Sequence, residues 1–413
     1  MIGVRAALEC ILNDVPRIGT EQVPVPRARG RVLAAPVVAT RDVPPFRNAA
    51  MDGFALRAAD VGAAAPDHPV RLRVLETVGA GAVPTRAVAA GCATKIMTGS
   101  PMPEGADAVV RVEDTTETDG HVSVAVAVAT ATHVRFPGED LRCGEPALPA
   151  GHVLRPADIG LLASLGHAVV RVHRRPQVAV LATGDELVEL GQPLGPGQIA
   201  NSNAYTLAAA VEEAGGLSRL VGIVRDTPAA TREAFAEAFT SDMVVSTGGV
   251  SMGTFDLVRQ TLGDLGVSER FWKVAQKPGK PLTFGRRGDV PVFGLPGNPV
   301  SALVCFYLYV RPALRAMGGL AQVHLPTVTA TTETRVDTAR GVTEFVRCTL
   351  SGPPDAYRVR TTGSQSSGVL RSMSVGQGLI VVPPDVTTLE AGTRVRVILL
   401  DPTEAADEPP VDL

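Results

Sequence analysis

Apolar positions change their period several times along the chain, and those changes divide it. In the middle, residues 177–182, 217–224, 243–245 and 290–295 are short, largely β-branched runs, each followed by glycine, proline or charged residues. Stretches with helical spacing lie between them. This alternation predicts an α/β domain with a mostly parallel sheet, whose loops at the carboxyl ends of the strands line one crevice. Asn203 is expected to cap a helix that Gly215 and Gly216 stop, and Thr227-Pro228 to open another. Further helices are expected over 257–265 and 302–317, and a further strand over 270–274.

On either side the texture differs. From 56 to about 140, short alternating runs such as 70–78 and 121–129 are separated by turn residues, which predicts a small β domain, barrel or sandwich. The flanking segments share an extended, proline-rich character with short helices over 4–12 and 157–165. The fold class is therefore multidomain α/β plus β. Its parts are an N-terminal arm domain from 1–43 and 141–175, an inserted β domain over 44–140, a central α/β domain over 176–320 and a C-terminal β-barrel-like domain over 321–400. The acidic, proline-rich residues 401–413 are expected to be disordered.

Composition narrows the function. The 413 residues carry a net charge of -3 with only 4% aromatics, against the basic face and stacking rings of a nucleic-acid binder. Five scattered cysteines, Cys10, Cys92, Cys143, Cys305 and Cys348, suggest small buried hydrophobes rather than disulfides or a zinc site. No apolar run reads as long enough to span a bilayer and no signal peptide is evident, so the expected location is the cytoplasm.

The chemistry gathers at strand ends. Residues 242–248 run from an apolar strand into Gly248 and Gly249, a turn that leaves backbone N–H groups free for an anion. Asp185, Glu186, Asp226 and Asp256 follow strands or their loops, and clustered carboxylates call for a cation such as Mg²⁺ that bridges to substrate phosphates. Lys273, Lys277 and Lys280, on and after one strand, supply the opposite sign. Ser251 and Ser301 add hydroxyls for an anion.

These motifs occur in a known order: Pro-Phe at 45–46 leading to Met-Asp-Gly at 51–53, Met-Thr-Gly at 97–99, Gly-Glu-Asp at 138–140 and Thr-Gly-Asp-Glu-Leu at 183–187. Ser-Thr-Gly-Gly-Val-Ser at 246–251, Lys-Pro-Gly-Lys at 277–280 and Leu-Pro-Gly-Asn-Pro-Val-Ser at 295–301 complete the series. The chain resembles the molybdopterin molybdenumtransferases, bacterial relatives of the E domain of gephyrin, over nearly its whole length. The resemblance implies a transferase that cleaves adenylylated molybdopterin in a step dependent on a divalent cation, releases AMP and places molybdate on the dithiolene sulfurs. It also implies a homodimer with a composite active site built from the α/β domain of one subunit and the inserted β domain of the other. Transient contacts with the molybdopterin adenylyltransferase and with acceptor molybdoenzymes are expected.

Carried over by motif, the catalytic residues are Asp52, Thr98, Asp140, Glu186, Asp226, Asp256, Lys273 and Lys277, with Glu186, Asp226 and Asp256 as metal ligands. Gly248, Gly249, Pro296 and Pro299 shape the substrate site, and Ser251, Lys280, Ser301 and Arg371 are added as anion contacts on chemical grounds. Ala49, Phe54, Thr227 and Thr254 depart from the family pattern, where hydroxyls or further acids are common. Two other classes stay open: a nucleotide-handling enzyme such as the adenylyltransferase, to which the flanking β domains are foreign, and a non-catalytic scaffold of the gephyrin kind, which would need neither the acids nor the lysines.

Overall fold

The computed structural model describes residues 1–249 and 254–400, without the side chains of 254–256. Ser251, the Asp256 carboxylate and the tail at 401–413 lie outside the described residues. The chain forms two compact units, one of residues 1–21, 30–34 and 171–413 and the other of residues 22–29 and 35–170.

The first unit contains a six-stranded sheet in the order Leu217–Val224, Gln177–Thr183, Met243–Gly248, Val290–Leu295, Thr283–Arg287, Ser268–Trp272. The first four strands run parallel, and Thr283–Arg287 pairs antiparallel with both of its neighbours, Val290–Leu295 and Ser268–Trp272. Strands buried on both faces need continuous apolar runs, and Val178 to Ala182 is such a run, its side chains pointing alternately into two cores. Helix Pro228–Ala238 starts as its sequence predicts, with the Thr227 hydroxyl accepting from the Ala230 N–H at 3.3 Å and Pro228 next. Helix Thr254–Asp264 precedes the antiparallel strands.

A long apolar helix follows the last parallel strand, as Pro299–Cys305 and Arg311–Met317 joined by a π-helical turn at Phe306–Val310. The wide turn precedes Pro312, whose ring lacks an N–H and would meet the carbonyl four residues back in a regular helix. Contrary to the expectation from sequence, Pro299–Met317, 19 residues long and with a mean hydropathy of 1.3 over its best 18-residue window, has the length and composition of a bilayer span. It is instead mostly buried: Phe306, Tyr309, Val310 and Met317 pack in the main core with Ala7 and Ile11 of helix Val4–Asp14. The same unit ends in a barrel, in which Thr343–Ser351, Arg358–Thr361, Thr327–Thr332, Arg394–Leu399 and Gly378–Val382 pair in turn and close on themselves. The short strand Gln276–Lys277 pairs with Thr343–Ser351 from outside the barrel.

The second unit is built on a mixed six-stranded sheet in the order Ala108–Arg111, Gly53–Leu56, Cys92–Ile96, Val70–Val78, His121–Val124, Thr115–Thr118. Phe54 and Leu56 face one core and Ala55 the other, so all of Gly53–Leu56 is buried. Gly53 is not the turn residue that Asp-Gly suggests. It opens a strand, where a Cβ would lie 1.9 Å from the Val110 carbonyl oxygen. Ala49 and Phe54 are fully buried, which puts both of these departures in cores rather than on a polar surface. Of the cysteines, Cys305 and Cys348 are buried as expected, but Cys143 is exposed at a turn.

Candidate active site

Among the parallel strands of the α/β sheet, Gln177–Thr183 comes first in the chain, and Leu217–Val224 pairs on one side of it and Met243–Gly248 on the other. The direction of winding therefore reverses between Thr183 and Gly248, where loops leaving to opposite faces open a crevice. A cavity of about 260 Å³ lies there, lined by Thr183, Glu186, Asn203, Thr247, Gly248 and Pro299 among others.

The glycines at this point are required by contact as well as by conformation. Gly248 has φ +90° and Gly249 φ +65°. A Cβ on Gly248 would sit 2.3 Å from the Thr183 carbonyl oxygen, and one on Gly249 would sit 2.6 Å from the Thr183 hydroxyl. That hydroxyl is buried at the cavity wall with no hydrogen-bond partner among the described residues. A buried polar group left unpaired costs free energy, so one at a cavity wall favours a ligand that pairs with it.

Asn203 does not cap its helix. Asn201 does, its side-chain oxygen accepting from the Ala204 N–H at 3.4 Å at the start of Ser202–Glu213. Asn203 turns instead to the crevice, donating to the Thr247 hydroxyl at 2.9 Å and the Gly297 carbonyl at 2.8 Å. Thr247 donates in turn to the Pro296 carbonyl at 2.9 Å, so the loops after Met243–Gly248 and Val290–Leu295 are tied together. Sequence reasoning missed Thr183, Thr247 and Asn203 as site residues. Their one signal is a hydroxyl or amide at or just after a strand end.

The acids gather beside this crevice. Burial first, then the negative charges of Asp185 and Glu186, raise the half-buried Asp226 carboxyl above the usual carboxylate range, and a backbone hydrogen bond from Asp185 offsets part of this. The Asp226 N–H donates to Asp185 Oδ1 at 3.3 Å, and Arg225 donates to the Asp185 carbonyl at 2.9 Å. Glu186 folds back over Gly184, where a Cβ would meet its carboxylate at 2.4 Å. Among the described residues no three carboxylate, imidazole or thiol groups converge as a metal cluster. Repulsion among Asp185, Glu186 and Asp226 nonetheless makes this donor set one that a cation would relieve.

The basic residues stand on another edge. Lys277 and Lys280 are exposed, and Lys277 Nζ lies 2.9 Å from Glu344 Oε1. Lys273, half-buried with φ +66°, places Nζ 3.7 Å from the centre of the Trp272 ring. Pro299 opens its helix at the cavity wall, whereas Ser301 is buried, Pro296 contributes its carbonyl, and Arg371 is exposed at the start of Arg371–Ser374. Of the residues expected from sequence, Glu186, Gly248 and Pro299 line the cavity; Lys273, Lys277, Lys280, Ser301 and Arg371 do not.

In the second unit, Asp52 is exposed at a bend before Gly53–Leu56. Thr98 donates both its N–H, at 2.6 Å, and its hydroxyl, at 2.7 Å, to Asp52 Oδ1. These two bonds, the backbone one first, hold the Asp52 carboxyl below the usual carboxylate range. Asp140 is exposed, its N–H bound to the Val43 carbonyl at 3.0 Å.

Comparison with known proteins places these features. The MoeA N-terminal region (domain I and II) matches residues 2–166, a probable molybdopterin binding domain matches 179–316, and the MoeA C-terminal region (domain IV) matches 329–400. A molybdopterin molybdenumtransferase of Nostoc sp. is 38% identical, over 97% of this chain and 94% of the relative. Molybdopterin molybdenumtransferase 2 of Mycobacterium tuberculosis is 38% identical over 91% and 94%. The crystal structure of the molybdopterin biosynthesis MoeA protein from Pyrococcus horikoshii superposes with a TM-score of 0.82 at 32% identity, covering 97% of this chain and 100% of that one. With three regions matched in order and relatives aligned along nearly their whole length, this chain belongs to the MoeA family, the molybdopterin molybdenumtransferases.

Proposed function

We propose that this chain is a molybdopterin molybdenumtransferase, which cleaves the phosphoanhydride of adenylylated molybdopterin, releases AMP and places molybdate on the dithiolene sulfurs. The observation that carries the reading is the cavity at the reversal point, with its glycine turn and the unpaired Thr183 hydroxyl beside a carboxylate cluster. A neutral or anionic ligand that accepts from Thr183 and from the N–H groups of the glycine turn fits that wall.

Each group then has a task. Gly248 and Gly249 let the backbone approach the ligand, and Pro299, with Asn203 through Thr247 and Gly297, holds the opposite wall. Glu186, Asp226 and Asp256 would hold a divalent cation, and their all-oxygen donor set suits Mg²⁺. An ion held by these carboxylates would supply Lewis-acid withdrawal of charge from the phosphate that leaves as AMP. Lys277 and Lys280 hold an oxyanion, with Lys273 and Arg371 as further basic groups, and Ser251 and Ser301 lie in the matching motifs. Asp52, Thr98 and Asp140 complete the site from a second copy of the chain in a homodimer. Transient contact with the adenylyltransferase and with acceptor molybdoenzymes in the cytoplasm completes the reading, and residues 44–140 form the inserted domain that reaches the partner.

The test is direct. The purified chain is incubated with adenylylated molybdopterin, molybdate and Mg²⁺, and AMP is followed by chromatography. AMP release together with a product that activates an apo-molybdoenzyme is expected. No AMP above the enzyme-free control would remove the assignment.

A further inference from the structure

The loop that carries Lys277 and Lys280 is held from inside the core by a polar network. Gln276 is 1% exposed, and a buried primary amide needs partners for both its oxygen and its nitrogen. Its Oε1 accepts from the Tyr309 hydroxyl. Its Nε2 donates to the Pro278 carbonyl at 3.0 Å and reaches the Gly279 carbonyl at 3.4 Å. Cys305 Sγ, 3.5 Å from the Gly279 carbonyl, closes the same pocket from the helix. Gly279 has φ +91°, and a Cβ there would lie 2.4 Å from that sulfur, so the loop fits the network in one conformation.

Tyr309 reaches Gln276 from the π-helical turn Phe306–Val310, a widened turn of the kind often found at functional sites. Burial raises its phenol, which stays protonated and remains a donor. The two carbonyls that Gln276 binds belong to the residues between Lys277 and Lys280, so their placement sets where both lysines leave the chain. From the barrel, Glu344, 4% exposed, holds Lys277 Nζ at 2.9 Å while its other oxygen accepts from the Ala339 N–H at 2.8 Å.

We propose that Gln276 and Tyr309 are positioning residues, a buried amide and phenol that fix the Pro278 and Gly279 carbonyls so that the flanking lysines stand at a set spacing for a tetrahedral oxyanion. This rests on the reading that Lys277 and Lys280 hold the oxyanion, and the test separates the two ideas. Neither side chain can touch a ligand, because both are buried behind the loop. Their effect passes through the lysines.

The molybdate concentration for half-maximal turnover and kcat are measured for Tyr309→Phe, Gln276→Met, Lys277→Ala, Lys280→Ala and each core variant combined with Lys280→Ala. Thermal melting confirms folding; Tyr309→Phe keeps the ring and its packing, and Gln276→Met serves as the second variant. Loss of one neutral hydrogen bond predicts a rise in half-saturating molybdate of about three- to tenfold, with kcat much less affected. Each lysine variant should give a rise of about ten- to a hundredfold, the worth of a charge-assisted contact. In the Lys280→Ala background the core substitutions should add little, since residues acting as one unit are not additive. Lysine variants that shift molybdate dependence beside core variants that do not, or core variants that retain their full effect without Lys280, overturn the positioning role alone. Unchanged molybdate dependence in both lysine variants overturns the oxyanion reading and the positioning role with it.

Discussion

Thr98 gives both its backbone N–H and its hydroxyl to one oxygen of Asp52, at 2.6 and 2.7 Å, although 45 residues separate them in the chain. The pairing joins the bend before Gly53–Leu56 to the turn after Cys92–Ile96, and it favours the ionised carboxylate. Because the folded pKa is depressed, the stabilisation is present above the unfolded value near 3.8 and is lost as pH falls through the folded one. Thr98→Val removes the hydroxyl and keeps the N–H, which is the larger cause. The Asp52 carboxyl, followed by carbon NMR, should titrate higher than in the wild type but still below the ordinary value. An unmoved titration would mean that the hydroxyl bond does not persist in solution.

Asp52 is proposed to act on the site of a second copy. A chain with Asp52→Ala and a chain with Asp226→Ala should each be inactive, and mixing them under subunit exchange should restore part of the turnover through one intact site per mixed dimer. Failure to recover any turnover, with exchange demonstrated independently by a tag, would place Asp52 outside the composite site.

Gly248→Ala puts a Cβ against the Thr183 carbonyl, at a φ that other residues rarely adopt. A strained backbone of this kind costs about 1–3 kcal/mol. The urea midpoint should fall by a corresponding amount and AMP release should be lost, because the turn must move away from the cavity wall. A variant as stable and as active as the wild type would show that the turn is free to adopt another shape.

Asp226→Asn removes one charge from the cluster with Asp185 and Glu186. Adenylylated molybdopterin should still bind, more tightly in the absence of Mg²⁺ because one repelling carboxylate is gone, while AMP release nearly stops. Excess Mg²⁺ should recover part of the rate. Binding by calorimetry and AMP release are measured on the same preparation, and normal cleavage with lost binding would turn the acids into pterin contacts.

Much of the α/β body could be read from local pattern, and the elements found mark where that reading works. Leu217–Val224 and Val290–Leu295 have the expected bounds because β-branched runs end at charged or proline residues. Pro228–Ala238 begins where Thr227-Pro228 says a helix should. Such signals act over a few residues and are present in the unfolded chain. Thr283–Arg287 went unread, since Gly285 and two arginines interrupt its apolar pattern after Thr283 and Phe284, and pairing on both sides makes it a strand. Ser268–Trp272, expected over 270–274, joins the sheet by antiparallel pairing with that strand.

At the site the division is the same. Motif and charge named Asp52, Thr98, Glu186, Asp226, Gly248 and the lysines, and the family resemblance put them in one protein. Which groups meet was decided by tertiary structure: Thr98 on Asp52, Asn203 on Thr247 rather than on its own helix end, Glu344 on Lys277, Tyr309 on Gln276. These partners come from elements far apart in the chain, and a hydrogen bond forms only where packing brings donor and acceptor within about 3 Å. Residue type states what a side chain can bind. The order of strands in the sheet, and the places where glycine lets backbones touch, determine what it does bind.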